Sequence, residues 1–264
     1  MYQACLLEDI QAISVEPVIN RFSKTLDQLL ANIGSATSRV SAAIPEKRKV
    51  QYSQYFTPLA IAKQMAAMLD LPAGGHLGDA GAGAGILGAA ALALHYDDKQ
   101  PVNGSAQLRA FEIDETLHAP FLDNLGLVSA FATERGHPCP EVQLDRDYLD
   151  IAVHLRNLFG EESETLDAII LNPPYKKLGA NTEIAQLLKS WGVSVPNLYA
   201  VFMVIALEML KPGGEMVAIV PRSFANGDYF KSFRAWIRTH ASIEGLVRYR
   251  SRSNLFRNEN VLHS

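Results

Sequence analysis

Cysteine is scarce in this sequence, and the two residues present do not form a motif. Cys5 and Cys139 lie far apart, and neither belongs to a C-x-x-C pair. Structural zinc sites use closely spaced Cys and His ligands, and disulfide-stapled domains need dense, paired cysteines. The sequence therefore indicates neither a zinc centre nor a disulfide framework, and we expect no metal.

Long apolar segments and a secretion signal are also lacking. No run of about 18 consecutive apolar residues occurs, so we expect no membrane span. The start, MYQACLLEDIQ, is acidic where a secretory signal would be basic. We therefore expect a cytoplasmic protein, whose 264 residues with 48% apolar side chains can build one large domain or two small ones.

An overall excess of positive charge is missing too, because the net charge is -4. The distribution is uneven: residues 222–257 contain eight Lys or Arg against two acids. A solvated helix face followed by a basic loop would explain this stretch. Contact with nucleic-acid phosphates is the alternative.

Two kinds of pattern divide the chain. Residues 1–50 read as helical, and their end, GSATSRVSAAIPEKRKV, predicts a flexible segment. The apolar positions recur at three- and four-residue spacing: Val15, Val18, Ile19, Phe22, Leu26, Leu29 and Leu30. After residue 55, PLAIAKQMAAMLDL (58–71) predicts a helix that begins at a proline.

Short apolar strands then alternate with helices, which predicts a Rossmann-like α/β fold. Its sheet should be mostly parallel, with helices on both faces. We predict strands at 76–80, 107–112, 141–145, 166–171, 215–220 and 244–249. We predict the intervening helices near 84–95, 115–131, 148–159, 197–210 and 228–240. Ligands bind beyond the carboxyl ends of such strands, so the chemistry should follow each strand.

The first three strand ends indicate an adenosine pocket. Gly83-x-Gly85-x-x-Gly88 matches a dinucleotide fingerprint, but Asp79 beside it would repel a pyrophosphate and suit an ammonium group. Glu112 follows the second strand, where a carboxylate can accept from both ribose hydroxyls. After the third strand, Asp145 and Asp147 can each accept from an adenine amino group, although either alone could be a solvated loop acid.

The fourth strand ends in Asn172-Pro173-Pro174-Tyr175. The two prolines make the strand exit stiff and extended. One interpretation is that they only end the strand and have no further function. The other interpretation is a site for a planar amino group. The Asn172 side-chain oxygen and the Pro173 carbonyl would accept its two N–H bonds, and Tyr175 would stack on its ring.

Six segments together resemble one known family: QYFTP (54–58), DAGAGAG (79–85), FEID (111–114), RDYL (146–149), NPPY (172–175) and NLYAVFMVIALEMLKPGG (197–214). Their order is similar to that in S-adenosylmethionine-dependent N6-adenine DNA methyltransferases of the gamma class. The subgroup resembled is the modification enzymes of restriction systems. The resemblance covers about residues 50–260.

The resemblance implies a role for each matching residue. The target adenine, flipped out of double-stranded DNA, would be held by Asn172, Pro173, Pro174 and Tyr175. A later aromatic residue, Phe256 in SNLFRNENV, would contact its other face. S-adenosylmethionine would be bound by Tyr55, Phe56, Thr57, Asp79, Gly81, Gly83, Glu112, Ile113, Asp147, Asn172 and Phe202.

The sequence departs from the family in two ways. First, Ala80 follows Asp79 at a position where family members usually carry Pro. Second, the 264 residues contain no segment that we expect to form a target-recognition domain, and we expect that domain after residue 264. We therefore expect an N-terminal helical arm, 1–50, and a catalytic domain, 51–264, that looks truncated at its C-terminal end. A separate recognition domain or subunit, and a restriction endonuclease, would be its partners.

Other functions share part of the pattern. NPPY alone also resembles enzymes that methylate a protein glutamine amide or an RNA guanine amino group. QYFTP and the helical arm favour DNA adenine, and cytosine N4 enzymes more often begin the motif with Ser. A non-catalytic subunit that binds the cofactor, and an NAD enzyme, remain as alternatives.

Overall fold

The computed structural model describes residues 22–98, 100–101, 104–152, 166–247 and 249. The strands are β1 His76–Ala80, β2 Gln107–Phe111, β3 Glu141–Asp145, β4 Leu166–Leu171 and β5 Leu210–Ala218. The α-helices are α1 Lys24–Ala43, α2 Glu46–Tyr52, α3 Leu59–Ala67, α4 Ile86–Asp98, α5 His118–Glu134, α6 Glu183–Ser190, α7 Leu198–Met209, α8 Ser223–Asn226 and α9 Lys231–His240. Two 3-10 turns, Glu115–Leu117 and Asp228–Phe230, precede α5 and α9.

The five strands form one parallel sheet in the order β3-β2-β1-β4-β5. Their carboxyl ends are in register: Ala80 lies opposite Phe111 and Leu171, Phe111 opposite Asp145, and Leu171 opposite Ala218. All five strand exits therefore reach the same edge of the sheet, where ligands bind in folds of this type.

Helices cover both faces of the sheet, and β4 shows why. Ala168 and Ile170 face a core formed with α1, α3, α4 and α5, whereas Ile169 and Leu171 face a second core with α7 and α9. Side chains alternate across a strand, so a continuous apolar run supplies both cores. The predicted α/β architecture and five of the predicted strands are confirmed.

The prediction of a flexible segment from residue 34 onward is wrong, because α1 continues through Ala43. Its small residues pack closely instead of loosening the chain: a Cβ at Gly34 would lie 3.1 Å from Leu59, and buried Thr37 accepts from Asn124 Nδ2 at 3.3 Å. Leu26 and Leu30 of α1 are fully buried in the first core. The division into an arm and a catalytic domain stays a prediction, and Val15, Val18 and Ile19 lie outside the described residues.

The sixth predicted strand is also wrong: residues 244–247 and 249 form no strand. A strand requires ladder hydrogen bonds to a neighbouring strand. Tyr249 instead packs against the first core, and its hydroxyl donates to Gln64 of α3. Of the predicted helix at 148–159, residues 148–152 can be described, and residues 149–152 are helical. Within the described ranges, every helix is too short or too polar to cross a bilayer.

Candidate active site at the carboxyl edge of the sheet

The turn after β1 lies at the centre of the shared edge. Gly81, Gly83 and Gly85 have φ of 77°, 58° and 80°, which only glycine adopts without strain. The amides of Gly81 and Ala82 both donate to the Phe111 carbonyl, at 3.0 and 2.9 Å. The exits of β1 and β2 are thereby joined into one rigid unit.

Side chains from distant segments converge on this turn. A Cβ at Gly81 would lie 3.6 Å from the Asn172 carbonyl and 3.7 Å from Phe202 Cε1. A Cβ at Gly83 would lie 3.8 Å from Phe56 Cε1. The structure therefore brings predicted cofactor residues of three other motifs, Asn172, Phe202 and Phe56, close to the glycine turn.

Asp79 lies beneath the turn and is fully buried. Its Oδ2 accepts from the Gly88 amide in the first turns of α4 at 2.8 Å, whereas Oδ1 has no hydrogen-bond donor in the described part of the chain. Burial raises the pKa of Asp79 to about 7, against the effect of the Gly88 bond, and the Glu112 carboxylate adds to the rise. A buried acceptor without a donor is suited to a cationic ligand group.

This raised pKa predicts how stability depends on pH. Between about pH 4 and pH 7 the folded chain binds a proton at Asp79 that the unfolded chain has lost, so stability should fall as the pH rises through that window. Asp79→Asn removes the buried charge and keeps an acceptor for Gly88. The melting temperature of Asp79→Asn minus that of the parent should therefore be larger at pH 8 than at pH 5, by at least about 2 °C. Differential scanning calorimetry at both pH values measures this difference.

The control for this experiment is Asp123→Asn, which changes an exposed carboxylate on α5. Its melting temperature should follow that of the parent at both pH values. A difference between Asp79→Asn and the parent that does not change with pH would contradict the assigned burial of charge.

Glu112 binds the glycine turn directly. Its Oε2 accepts from the Gly83 amide and its Oε1 from the Asp114 amide, both at 2.8 Å. Burial raises its pKa, although these two bonds oppose the rise. The next residue, Ile113, is 53% exposed beside this buried carboxylate, which suits a side chain that packs against a ligand ring.

The acids after β3 are less buried. Asp147 caps the following helical turn, where its Oδ1 accepts from the Leu149 amide at 2.9 Å. Asp145 pairs with Arg109 at 2.8 Å. Asp147 is therefore held at the sheet edge, where its second oxygen Oδ2 accepts no hydrogen bond from the described residues. Asp145 is committed to an ion pair.

Asn172 is oriented by three hydrogen bonds. Its Nδ2 donates to the Tyr55 carbonyl at 2.9 Å and to Thr57 Oγ1 at 3.0 Å. These bonds use both amide hydrogens and turn Oδ1 toward Tyr175, whose hydroxyl lies 2.9 Å away. The neighbouring Pro173 carbonyl accepts no hydrogen bond from the described residues. Asn172 Oδ1 and the Pro173 carbonyl oxygen, the two atoms expected to accept hydrogen bonds from an amino group, can therefore each accept a further hydrogen bond.

Tyr175 lies between two other tyrosine rings. Tyr55 stacks on it with ring centroids 5.9 Å apart and planes 18° apart, and Tyr199 meets it edge-on at 6.3 Å. Its hydroxyl lies within hydrogen-bond distance of both Asn172 Oδ1 and the Ile219 carbonyl, at 2.9 and 3.0 Å. A flat group that enters between the two stacked rings must displace Tyr55.

Sequence reasoning missed one buried polar network in this site. Asp114 is fully buried and accepts from Arg48, Gln54 and Thr116. The Arg48 guanidinium holds the pKa of Asp114 well below its usual range. Asp114 lies within the motif FEID, and Gln54 directly begins the motif QYFTP. Arg48 lies 66 residues from Asp114 in the sequence, and no local sequence pattern links the two residues.

The basic stretch is only partly available for phosphates. Lys231 is exposed at the start of α9, with its Nζ 3.6 Å from the exposed Asp228 Oδ1. Arg234 Nη1 donates to the carbonyls of Phe224 and Gly227 at 2.9 and 2.8 Å. Arg234 therefore stabilises the loop after α8. Phe256 and the basic residues from Arg250 onward lie outside the described residues, so their roles stay predictions. Within those described residues, His, Cys, Asp and Glu form no group of three or more that could hold a metal.

Comparison with protein families identifies a matching family. The model of the Eco57I restriction-modification methylase family matches residues 122–256, about half of the chain. Type II methyltransferase M.BsuBI of Bacillus subtilis is 31% identical over 243 residues, covering 90% of this chain and 46% of that protein. Type II methyltransferase M.PstI of Providencia stuartii is 30% identical over 233 residues, covering 87% and 45%. The chain spans about half the length of these curated relatives.

Solved structures share the fold at low sequence identity. A putative class I S-adenosylmethionine-dependent methyltransferase from Listeria monocytogenes has a TM-score of 0.56 at 14% identity, over 86% of this chain and 62% of that one. A modification subunit of a putative type I restriction enzyme from Vibrio vulnificus has a TM-score of 0.52 at 17% identity, over 70% and 38%. The DrdV–DNA complex gives 0.54 at 17% identity, over 79% and 24%.

Proposed function

Because the chain belongs to the Eco57I restriction-modification methylase family and has the class I methyltransferase fold, we propose that it transfers a methyl group from S-adenosylmethionine to the N6 amino group of adenine in DNA. The observation that carries the proposal is the position of Asn172. Its carbonyl is near Gly81 of the glycine turn, and its side chain lies between Thr57 and Tyr175. An amino group held there is next to the cofactor pocket.

The residues of the glycine turn fit S-adenosylmethionine. When bound, this cofactor supplies a methyl group on a positively charged sulfur. Glu112 would bind the ribose, Asp147 the adenine amino group, and Ile113 and Phe202 would flank the adenine ring. Asp79, with its unpartnered Oδ1, would offset the positive charge of the amino-acid end. Tyr55, Phe56 and Thr57 would cover that end.

The motif after β4 would prepare the target nitrogen for attack. The lone pair of an adenine amino group is delocalised into the ring, so this nitrogen is a weak nucleophile. Asn172 Oδ1 and the Pro173 carbonyl would accept its two N–H bonds and favour a pyramidal nitrogen whose lone pair points at the methyl group. Pro174 stiffens the strand exit, and Tyr175 would stack on the ring, so the site acts mainly by positioning.

Double-stranded DNA is the proposed partner, with the target adenine flipped out of the helix. We further propose that a target-recognition domain or subunit reads the sequence, and that a restriction endonuclease of the same specificity accompanies it. Phe256 would face the flipped base opposite Tyr175. We also propose that the protein acts in the cytoplasm, where its DNA substrate lies.

DNA affinity should depend on salt through the exposed basic residues near the sheet edge. Lys231→Ala should reduce the slope of log affinity against log salt by about 1, the effect of losing one phosphate contact. Fluorescence anisotropy on a labelled duplex measures this slope. Lys24→Ala is the matched control, because Ser23 bonds Asp97 at the end of α4, away from this edge. Equal slopes for both variants would refute a phosphate contact at Lys231.

The proposed function is tested in the host that carries the gene. Native single-molecule sequencing of its DNA, with and without the intact gene, should show N6-methyladenine at one recurring sequence only when the gene is present. Unchanged adenine methylation after deletion, or loss of N4-methylcytosine instead, would overturn the assignment.

A further inference from the structure

The buried carboxylate of Asp114 is the centre of a polar network at one end of the site. Arg48 donates to it through two nitrogens, Nε at 2.9 Å and Nη2 at 2.6 Å. Gln54 Nε2 adds a third bond at 2.9 Å, and Thr116 donates from its amide and its hydroxyl. Such a two-pronged contact needs the planar fork of arginine, because a lysine ammonium donates from a single point.

This network touches both halves of the site. The Asp114 amide donates to Glu112 Oε1, and the same Glu112 carboxylate binds the glycine turn through Gly83. On the other side, Gln54 begins the segment 54–57, whose Tyr55 carbonyl and Thr57 hydroxyl accept from Asn172. Asp114 therefore connects the two halves: its amide binds Glu112, which holds the glycine turn, and its carboxylate binds Gln54, which begins the segment that orients Asn172.

Among the described residues, the helix that supplies Arg48 has few other contacts to hold it in place. Helix α2 has seven residues, and none of them is buried. Its described polar ties include the Arg48 pair and a bond from Lys49 Nζ to Ser41 Oγ at 3.2 Å. Because burial of apolar surface normally fixes a helix, a helix without it depends on such polar contacts for its position.

We propose that Arg48 and Asp114 are positioning residues that hold the cofactor half and the base half of the site in their working arrangement. This rests on the proposed function of the site. Arg48 contacts neither half directly; it fixes Asp114, and Asp114 fixes Glu112 and the start of segment 54–57. Loss of the pair leaves the buried Asp114 charge without its partner and frees both halves to move.

The test compares Arg48→Ala, Arg48→Lys and Lys47→Ala in the whole protein. Lys47 is exposed on the same helix, so it controls for loss of one positive charge. For each variant, equilibrium dialysis gives the Kd for S-adenosylmethionine, steady-state assays give KM and kcat, and hydrogen–deuterium exchange without ligand follows segment 54–57. Thermal unfolding shows which variants remain folded.

Arg48→Ala should raise the Kd and lower kcat, each by about tenfold or more, the size typical of residues that orient a contacting group. Exchange in segment 54–57 should be faster, and Arg48→Lys should lie between the parent and Arg48→Ala in all three measurements. If Arg48→Ala does not fold, Arg48→Lys alone decides. A folded Arg48 variant that matches Lys47→Ala within about twofold in Kd, kcat and exchange overturns the proposal.

The two proposals fail in different ways. If the parent protein binds no S-adenosylmethionine, the proposed function is lost. The exchange measurement then still decides whether Arg48 positions segment 54–57, because it needs neither cofactor nor turnover.

Discussion

Asn172→Ala is expected to lower kcat for methyl transfer by about 100- to 1000-fold, the typical cost of removing one preorganised polar group from a reacting centre. The Kd for S-adenosylmethionine should change much less, because the glycine turn, Glu112 and Asp147 remain. The physical reason is the loss of Oδ1, the atom proposed to accept the target N–H. Single-turnover kinetics with labelled cofactor measure the chemical step, and dialysis measures the Kd.

Two further variants sharpen this prediction. Asn32→Ala makes the same change at an exposed site on α1 and should leave both constants unaltered. Asn172→Asp keeps an acceptor but cannot donate to the Tyr55 carbonyl and Thr57, so it should retain more activity than Asn172→Ala and less than the parent. Methyl transfer by Asn172→Ala at the parental rate would eliminate Asn172 from the mechanism.

Tyr175→Ala should lower kcat/KM for DNA by about 5- to 150-fold, which corresponds to the roughly 1–3 kcal/mol that a base gains by stacking on an aromatic ring. The ring lies beside Asn172 and is partly covered by Tyr55 in this structure. A base that stacks on the face covered by Tyr55 therefore requires Tyr55 to move, and its stacking energy must exceed that of the tyrosine pair that it replaces.

Tyr175→Phe separates the ring from the hydroxyl. It keeps the stacking surface and removes the bonds to Asn172 Oδ1 and the Ile219 carbonyl, so we expect a smaller loss of kcat/KM than in Tyr175→Ala. Equal losses in the two variants would mean that the hydroxyl acts on Asn172 and that the ring does not stack on the base.

The sheet, and the edge of it at which the site lies, could be predicted from the sequence because local sequence patterns determine both. The apolar run of β4 supplies alternate residues to two cores, and parallel strands bring their carboxyl ends to one edge. The positive φ of Gly81, Gly83 and Gly85 explains why these positions read as a turn. Resemblance to modification methyltransferases is confirmed by the family match, whereas the roles of single site residues stay predictions.

The errors arose where tertiary packing overrides a local pattern. Gly34 and Thr37 look like loop residues, yet their small size allows α1 to pack closely against Leu59 and Asn124. Residues 244–249 look like a strand, but their pattern does not reveal whether a sheet edge lies beside them. The Arg48–Asp114 pair joins residues far apart in sequence, and only the fold brings them together.

Analysis of the methylated nucleoside tests the central claim most directly. The purified protein is incubated with S-adenosylmethionine labelled in its methyl group and with double-stranded genomic DNA from a strain lacking the gene. The DNA is then digested to nucleosides for mass spectrometry. The proposed function predicts label in N6-methyladenine, absent from a parallel reaction with Asn172→Ala. Label in N4-methylcytosine, or in RNA or protein supplied in place of DNA, would contradict it.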